Sequence, residues 1–466
     1  MAKSRLHKSN SIPGKNKGLV LILTIMALPV LLMITGLAID TGRIYLVKAK
    51  LFAAVDAAGI AAARAVANGE DAAKAAASKY FNVNFPTDFM KSTAALATPV
   101  FSSDEFGNIT IDVTGSATMP NTFLSMFGYK NWTVSALAQT IRRPVDIVLV
   151  VDNTTSLKSG VMGDVTQDVV DRSKSFVSNF HESFDRLALV KFAYGAEVPV
   201  PFNDARGFNK STVKNEIDAF SFGGYGTTYY TNASEGMYRA LDEVRNVPNP
   251  ASLKVIVFFT DGSPNTFASD FEFMYTSKSY TGSLRAGGST SGTPRGLWKH
   301  KKIAETKGSS AYKSSNIDDY IEELPEYYNA HDASANEFKV LNPDHPRRPV
   351  YQYGANTHSA NDLYKRINRV ARNLVEDMAE AARKEDIYVF TLGLGSSLQT
   401  TTGPDYEIGE EMLLRMANDP SMLNNGQVAG DFKSDQLQGL YCHAVNEYAL
   451  GPCFDQMLDI IIRLTL

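Results

Sequence analysis

The chain has 466 residues, of which 44% are apolar and 21% are charged, with 46 lysines and arginines against 50 acidic residues. This composition excludes a disordered or collagen-like protein, and the net charge of −4 argues against a strongly basic nucleic-acid-binding protein. The length is enough for two or three domains. The charge is unevenly distributed, because residues 1–17 carry +5 without an acidic residue and the remainder therefore carries −9.

Residues 18–39 form an uncharged run that is long enough to cross a membrane as a helix. About 20 apolar residues span the hydrocarbon core, and a basic tail before them predicts a cytoplasmic N-terminus with the following chain exported. A cleaved signal peptide is the alternative, but its apolar core is usually only ~7–15 residues and ends at a small-residue cleavage site. We therefore expect a retained single-pass transmembrane helix after a cytoplasmic tail at 1–17.

Residues 40–85 are rich in alanine and predict a stalk helix that continues the membrane span, with Gly59 and Gly69 as weak points. Apolar and small side chains recur at a spacing of three to four between Ile44 and Ala62, which makes one stripe along the helix. The stripe has two interpretations. It packs on the chain's own domain, or it bundles with helices of partner subunits.

Residues 86–142 predict a small β/α region. Alternating patterns indicate strands at 97–101, 109–117 and 131–140, and 121–128 could form a short helix. These elements are too few for an independent core. We expect a β-layer that lies on the stalk helix.

Residues 143–466 predict one α/β domain. Apolar runs at 145–151, 187–193, 253–260 and 387–394 are typical of buried parallel strands. Between and after them lie a further strand at 197–202 and helical patterns at 164–183, 211–219, 233–245, 361–384, 408–417 and 453–464. This alternation predicts a doubly wound, mostly parallel sheet, in which ligands bind beyond the carboxyl ends of the strands.

Residues 265–360 are a large insertion, since the connection between a strand and the next helix usually needs only a few residues. The segment is rich in aromatic, glycine and serine residues, which suits a binding loop or lid. A solvated excursion with a local helix at 317–329 is the alternative. We expect the short basic cluster at 299–302 to be surface-exposed and not a nucleic-acid contact.

Oxygen-bearing side chains follow two of the predicted strands. Asp152, Thr154 and Ser156 come directly after the first strand, and Asp261 ends another. Each alone could cap a helix or form a turn. Brought together at one sheet edge, they make an oxygen-only site that suits a hard cation, Mg²⁺ first, with Mn²⁺ or Ca²⁺ as alternatives. Because only two carboxylates are present, the cation should accept an exposed acidic side chain of a protein partner.

This constellation resembles the metal-ion-dependent adhesion site (MIDAS) of von Willebrand factor type A domains. The pattern of that family is Asp-x-Ser-x-Ser, a loop threonine and a strand-end aspartate. Asp152, Thr154 and Ser156 match the first part, with threonine in place of the first serine, and Asp261 matches the last.

The resemblance also implies a threonine ligand from the glycine-rich loop between these strands. Thr231 aligns best with the start of the following helix, and Thr227 and Thr228 are alternatives that lie closer to the preceding Gly-Gly.

An enzyme of the haloacid-dehalogenase type is a remote alternative, since it also places an aspartate after a buried strand. That chemistry needs a second acid two residues later for proton transfer, and Thr154 occupies this position. We therefore expect a protein that is not an enzyme.

The N-terminal part is similar to TadG-like proteins of the Flp (Tad) pilus-assembly system. The similarity rests on Gly18, Asp40-x-Gly42-Arg43, Leu51-x-x-Ala54-x-Asp56-Ala57-Ala58 and Pro120-x-x-Phe123-x-x-x-Phe127-Gly128. One departure is Leu23, because Flp-type prepilins carry a glutamate five residues after the processing glycine. This departure argues against peptidase processing and favours a retained anchor.

Membership of this family implies a minor-pilin-like protein of the bacterial inner membrane, with its C-terminal domain periplasmic or extracellular. TadE-like and TadF-like minor pilins and the Flp pilus are the implied partners. Whether the protein enters the fibre stays open. A pilus-tip or surface adhesin that uses the same metal site is the alternative function.

The two cysteines, Cys442 and Cys453, predict a disulfide in an exported domain, where the environment is oxidising. Two buried thiols are the alternative.

Overall fold

The computed structural model describes residues 17–104, 107–160, 162–223, 230–274, 276, 278–287, 293–306, 317–321, 323–352 and 359–465. The chain divides into two compact units. The N-terminal unit comprises Met1–Ser102 with Thr110–Ile141, and the C-terminal unit comprises Ser103–Ile109 with Arg142–Leu466.

The N-terminal unit begins with α1 (Lys17–Ala65), and the first half of this helix is strongly apolar. Side chains from Val20 to Ile34 are exposed. Among the described helices, α1 is the one whose length and hydropathy suffice to cross a membrane. Such a helix is the form that a membrane anchor or a signal sequence takes.

The prediction of one stalk helix over 40–85 is wrong. Helix α1 ends at Ala65, a 3₁₀ turn follows at Val66–Asn68, and α2 (Glu70–Asn84) packs back along α1. Gly69 between them has φ +99°, a conformation that favours glycine. The stripe predicted on α1 is buried inside this unit from Val47 to Ala62, so it packs on the chain's own domain.

A four-stranded sheet covers the helical pair. Its strands are β1 (Thr93–Leu96), β2 (Val100–Ser103), β3 (Ile109–Pro120) and β4 (Asn131–Arg142), and β3 pairs with each of the other three. Gly115 on β3 approaches α1 so closely that an added Cβ would lie 2.7 Å from Val55. The predicted β-layer on the helix is therefore present, although the strand expected at 97–101 is two short strands on either side of residues 97–99. The expected helix at 121–128 is a 3₁₀ turn at Leu124–Phe127.

Asp40 holds the turn before that 3₁₀ segment. Its buried carboxylate accepts hydrogen bonds from the backbone N–H groups of Thr122, Phe123 and Leu124 at 2.9–3.0 Å. Gly36, one turn earlier on α1, lies so close to Phe123 that an added Cβ would be 2.5 Å from the Phe123 Cβ. These contacts give a structural role to Asp40 and Phe123, two residues of the TadG-like pattern.

The C-terminal unit contains alternating strands and helices. Its strands are β5 (Val145–Asp152), β6 (Arg186–Phe192), β7 (Ala196–Val200), β8 (Leu253–Thr260), β9 (Thr266–Phe273), β10 (Lys278–Arg285), β11 (Arg295–Trp298), β12 (Ile387–Leu394), β13 (Thr401–Thr402), β14 (Glu407–Ile408) and β15 (Tyr441–Ala444). Its helices are α3 (Ser156–Ser159), α4 (Thr166–Val177), α5 (Lys210–Asp218), α6 (Ala233–Asn246), α7 (Ala360–Lys384), α8 (Gly409–Ala417) and α9 (Glu447–Thr465).

The main sheet has the order β15-β12-β8-β5-β6-β7, and all neighbours are parallel except β6 and β7. Helices α6, α7 and α8 cover one face, and α4, α5 and α9 cover the other. The central strand β5 is buried along its whole length, which explains its continuous apolar sequence. The predicted α/β class with a mostly parallel sheet is confirmed.

The insertion is packed where the structure describes it. Strands β9, β10 and β11 form a separate antiparallel sheet, and Phe271, Tyr328 and Val350 join the core on the α6–α7 face. The alternative interpretation placed a local helix at 317–329, and this is wrong, since the residues described after a 3₁₀ turn at Ile317–Asp319 form no helix up to 329.

Asp185 anchors the start of β5. Its carboxylate accepts hydrogen bonds from the Arg142 guanidinium at 3.1 and 3.3 Å and from the N–H groups of Val145 and His181. Arg142 and Asp185 are both buried. The Arg143 N–H donates to the Thr465 carbonyl at 2.7 Å, so the end of α9 lies beside the start of the domain.

Cys442 on β15 and Cys453 on α9 form a disulfide, with 5.6 Å between their Cα atoms. The bond joins the edge of the main sheet to the helix that covers it.

Candidate metal centre at the sheet edge

Two adjacent parallel strands bring the predicted carboxylates together. Val151 on β5 lies opposite Phe259 on β8, and the two strands end one residue later, at Asp152 and Thr260. Asp261 follows directly. Both strands are held in this register by apolar side chains on both faces of the sheet, so the loops after them meet at one edge.

The carboxylates and hydroxyls form one hydrogen-bonded cluster. Asp152 Oδ1 accepts from the Thr154 N–H at 2.8 Å, and its Oδ2 accepts from the Thr260 hydroxyl at 2.6 Å. The Thr154 and Ser156 hydroxyls lie 2.8 Å apart, and Ser156 Oγ donates to Asp261 Oδ1 at 2.8 Å. The sequence-predicted residues of both loops are therefore in mutual contact.

Thr231 lies beside this cluster. It directly precedes Asn232, whose side chain caps α6 by accepting from the Glu235 N–H. The Thr231 N–H donates to the Asn265 side-chain oxygen, and the Thr231 carbonyl accepts from the Asn265 N–H. An added Cβ on Gly262 would lie 3.6 Å from the Thr231 hydroxyl.

The alternative residues Thr227 and Thr228 lie outside the described residues. Of the three candidate threonines, Thr231 is therefore the one that the structure describes. Its hydroxyl faces the loop after Asp261.

The cluster has a deficit of positive charge. Burial raises the pKa of Asp152, and burial together with the charge of Asp152 raises the pKa of Asp261. In the described part of the chain, both carboxylates contact hydroxyl and N–H groups, and no basic side chain pairs with either. Buried unpaired carboxylates are costly, and the donor set is oxygen only. The residues therefore fit a hard divalent cation.

Two features of the site region were missed from sequence. Thr260 supplies a hydroxyl to Asp152, and its only signal was its place at the end of an apolar strand. His300, expected with the exposed basic cluster at 299–302, is buried instead. It lies near Glu235 and His331, which no motif links to it.

Two family models match the chain. Residues 146–277 match the von Willebrand factor type A domain, and residues 18–65 match the family described as putative Flp pilus-assembly TadE/G-like. A comparison with curated proteins finds no match. The type A match covers both strand-end loops of the metal-site cluster.

Several solved structures resemble the chain at low identity. The vWF domain of the type V pili tip protein Mfa5 from Porphyromonas gingivalis is 14% identical with a TM-score of 0.39, over 70% of this chain and 98% of that one. The pilus adhesin SpaC from Lactobacillus rhamnosus GG is 14% identical with a TM-score of 0.37, over 80% and 34%. A von Willebrand factor type A protein from Catenulispora acidiphila is 11% identical with a TM-score of 0.33, over 80% and 50%. The chain thus spans about a third of the SpaC structure and half of the Catenulispora acidiphila structure.

Proposed function

We propose that this chain, which joins a TadE/G-like N-terminal segment to a von Willebrand factor type A domain, is a membrane-anchored, minor-pilin-like component of Flp (Tad) pilus assembly. Its type A domain binds a protein partner through a divalent cation. The two family matches support the pilus context. The observation that carries the binding role is the contact between the Asp152 loop and Asp261 at the sheet edge.

In this proposal Asp152, Thr154, Ser156, Thr231 and Asp261 hold the cation, with Mg²⁺ as the first choice. Two carboxylates balance the charge of a divalent cation, and the hydroxyl ligands add none. When bound, the cation supplies an electrophilic position for one further oxygen ligand. An exposed aspartate or glutamate of a partner protein meets that requirement.

The apolar half of α1 is the inner-membrane anchor in this proposal, with the basic tail in the cytoplasm and the C-terminal unit exported. TadE-like and TadF-like minor pilins are the partners that the Tad context suggests. Side chains from Val20 to Ile34 on α1 are exposed and available to lipid or to the helices of such partners.

Mg²⁺ should stabilise the wild-type protein and not an Asp152→Ala variant. The measurement is thermal melting of the full-length protein in detergent, with and without Mg²⁺ after chelation. A ligand at a hundred times its Kd adds about 2.7 kcal/mol, which corresponds to a rise of several degrees in Tm. Asp171→Ala on the exposed face of α4 is the control and should respond like the wild type. An equal Mg²⁺ effect in Asp152→Ala would show that the site is assigned wrongly.

The role in assembly is tested separately by counting pili on cells that carry Asp152→Ala. We expect fewer pili than with the wild type or Asp171→Ala, at equal protein levels. Normal pilus numbers with lost surface attachment would instead support the adhesin alternative.

A further inference from the structure

The geometry points to a second metal site in the C-terminal unit, in which Glu235, His300 and His331 bind a zinc-class transition-metal ion and fix the insertion to α6. Glu235 comes from the first turn of α6, and both histidines come from separate parts of the insertion. One candidate ligand atom from each of the three residues lies within 4.8 Å of the other two. The site does not depend on the Mg²⁺ site proposed above.

Glu235 is fully buried, which is unusual for a glutamate on the first turn of a helix. Its Oε1 lies 2.6 Å from His331 Nε2, and its Oε2 accepts a hydrogen bond from the Tyr328 hydroxyl at 2.5 Å. The carboxylate is therefore turned away from solvent and towards the insertion. Tyr328 fixes the second oxygen and leaves the first to face the histidines.

His300 supplies an independent observation. The residue is 8% exposed, and its Nε2 is buried without a hydrogen-bond partner among the described residues. Its ring lies edge-on to that of His331, with 4.9 Å between centroids. A buried polar atom without a partner is destabilising, so the position needs an explanation. A hydrogen-bonded Glu–His–Tyr network alone does not satisfy this nitrogen, whereas a metal ion would.

The backbone holds His300 in place. Its carbonyl accepts a hydrogen bond from the Ala196 N–H at 2.9 Å, and Gly195 approaches so closely that an added Cβ would clash with the same carbonyl. His331 is held by its ring, which stacks on Tyr238 of α6 at 4.6 Å. Both imidazoles are thus oriented before any ion binds, which reduces the entropy cost of binding.

Two imidazoles and one carboxylate select zinc or a similar transition metal and not Mg²⁺, which prefers oxygen ligands. Bonds of 2.0–2.1 Å in a tetrahedron place ligand atoms about 3.4 Å apart. Glu235 Oε1 and His331 Nε2, which lie 2.6 Å apart, would therefore separate by about 0.8 Å, and ligand atoms at the outer limit of 4.8 Å would approach by about 1.4 Å. Three protein ligands leave a fourth position for water. Arg239, one turn further along α6, adds a positive charge near His300 and lowers the affinity below that of a site without it.

The test uses untagged full-length protein in detergent, since a polyhistidine tag would itself bind zinc. After chelation and re-equilibration with zinc, the wild type should retain one ion per chain by elemental analysis. Cobalt substitution should give the absorption bands of a four-coordinate nitrogen–oxygen site. His331→Gln and His300→Gln should each lower zinc retention at least tenfold. His443→Gln, which alters a histidine outside the cluster, is the control and should leave it unchanged.

Glu235→Gln keeps the shape of the buried side chain and should also lose zinc, even if Glu235→Ala fails to fold. Asp152→Ala should retain zinc, so failure of the Mg²⁺ site and failure of this site can be distinguished. Amide exchange at 299–303 and 326–340 should slow when zinc binds the wild type and not His331→Gln. Zinc below one-tenth of an ion per chain in the wild type would overturn the proposal. Equal retention in the wild type and in both histidine variants would overturn it as well.

Discussion

Asp185 carries four hydrogen bonds on one buried carboxylate, whereas Asp218 makes a single exposed ion pair with Lys174 at 2.6 Å. Although the Lys174–Asp218 contact is the shorter, we expect it to stabilise the fold less than the contacts of Asp185 do. Water screens the Asp218 pair, and two long side chains lose entropy to form it. Asp185 instead neutralises a buried guanidinium and satisfies two backbone N–H groups, and no solvent can replace it.

Asp185→Asn should lower the free energy of unfolding by about 3–5 kcal/mol, because Arg142 would be left as a buried charge without a counter-ion. Asp218→Asn should cost about 0–1 kcal/mol, since its partner stays hydrated. Urea unfolding of the full-length protein, followed by a probe of the C-terminal unit, measures both. Equal losses in the two variants would contradict this account.

Among individual residues, those that follow long apolar strands could be predicted from the sequence. Asp152, Ser156 and Asp261 could be predicted because buried parallel strands place their ends at one edge. Glu235, His300 and His331 could not, since they lie far apart in the chain and no local pattern links them. Only the packing of the insertion on α6 brings them together.

A buried ionic network fixes the last part of the insertion to α7 and α8. Arg348 is fully buried and contacts Glu376 at 2.7 Å and Glu407 at 2.8 Å, and Arg415 adds a second contact to Glu376 at 2.8 Å. Burial alone would raise the pKa of Glu376, but Arg348 and Arg415 overcome it and lower the pKa to about 2. The network therefore stabilises the ionised form of Glu376.

This pKa predicts acid sensitivity. The pKa of Glu376 falls from 4.5 in a free side chain to about 2 in the fold. Its stabilising contribution is complete above pH 4.5 and is lost as the pH falls towards 2. Glu376→Gln should lower the free energy of unfolding by about 3 kcal/mol at pH 7. Its gap to the wild type should narrow as the pH falls from 4.5 towards 3. Unfolding curves over this range measure the gap, with exposed Glu272→Gln on β9 as the control. A gap that stays constant down to pH 3 would contradict the prediction.

Among the elements, the strands with continuous apolar runs were predicted within a residue or two, because burial on both faces leaves a strong signal. The sheet of β9, β10 and β11 was missed because none of its strands is a continuous apolar run. Polar residues interrupt the phenylalanines of β9, β10 is rich in serine, threonine and glycine, and β11 has four residues. The turn between α1 and α2 was missed because alanine favours helix on both sides, and only Gly69 marks the break.

For the whole molecule, the basic tail before the span predicts the orientation in the membrane. Alkaline phosphatase fused to the C-terminus should be active, because that enzyme works only outside the cytoplasm and the positive tail stays inside. Replacing the tail's basic residues with glutamine should lower the active fraction; these residues are Lys3, Arg5, Lys8, Lys15 and Lys17. An inactive fusion of the wild-type chain would contradict an exported C-terminal unit.

The position of β5 has a mechanical consequence. This strand follows β4 of the N-terminal unit along the chain, and it lies in the middle of the sheet between β6 and β8. Tension applied between the two ends of β5, at Arg142 and at Asp152, would act along the strand, so the hydrogen bonds of both ladders would bear the load together and not one after another. The Asp185 contacts at its start would have to break first. Under such tension the domain would be held by a strand that is hydrogen-bonded to a neighbour on each side.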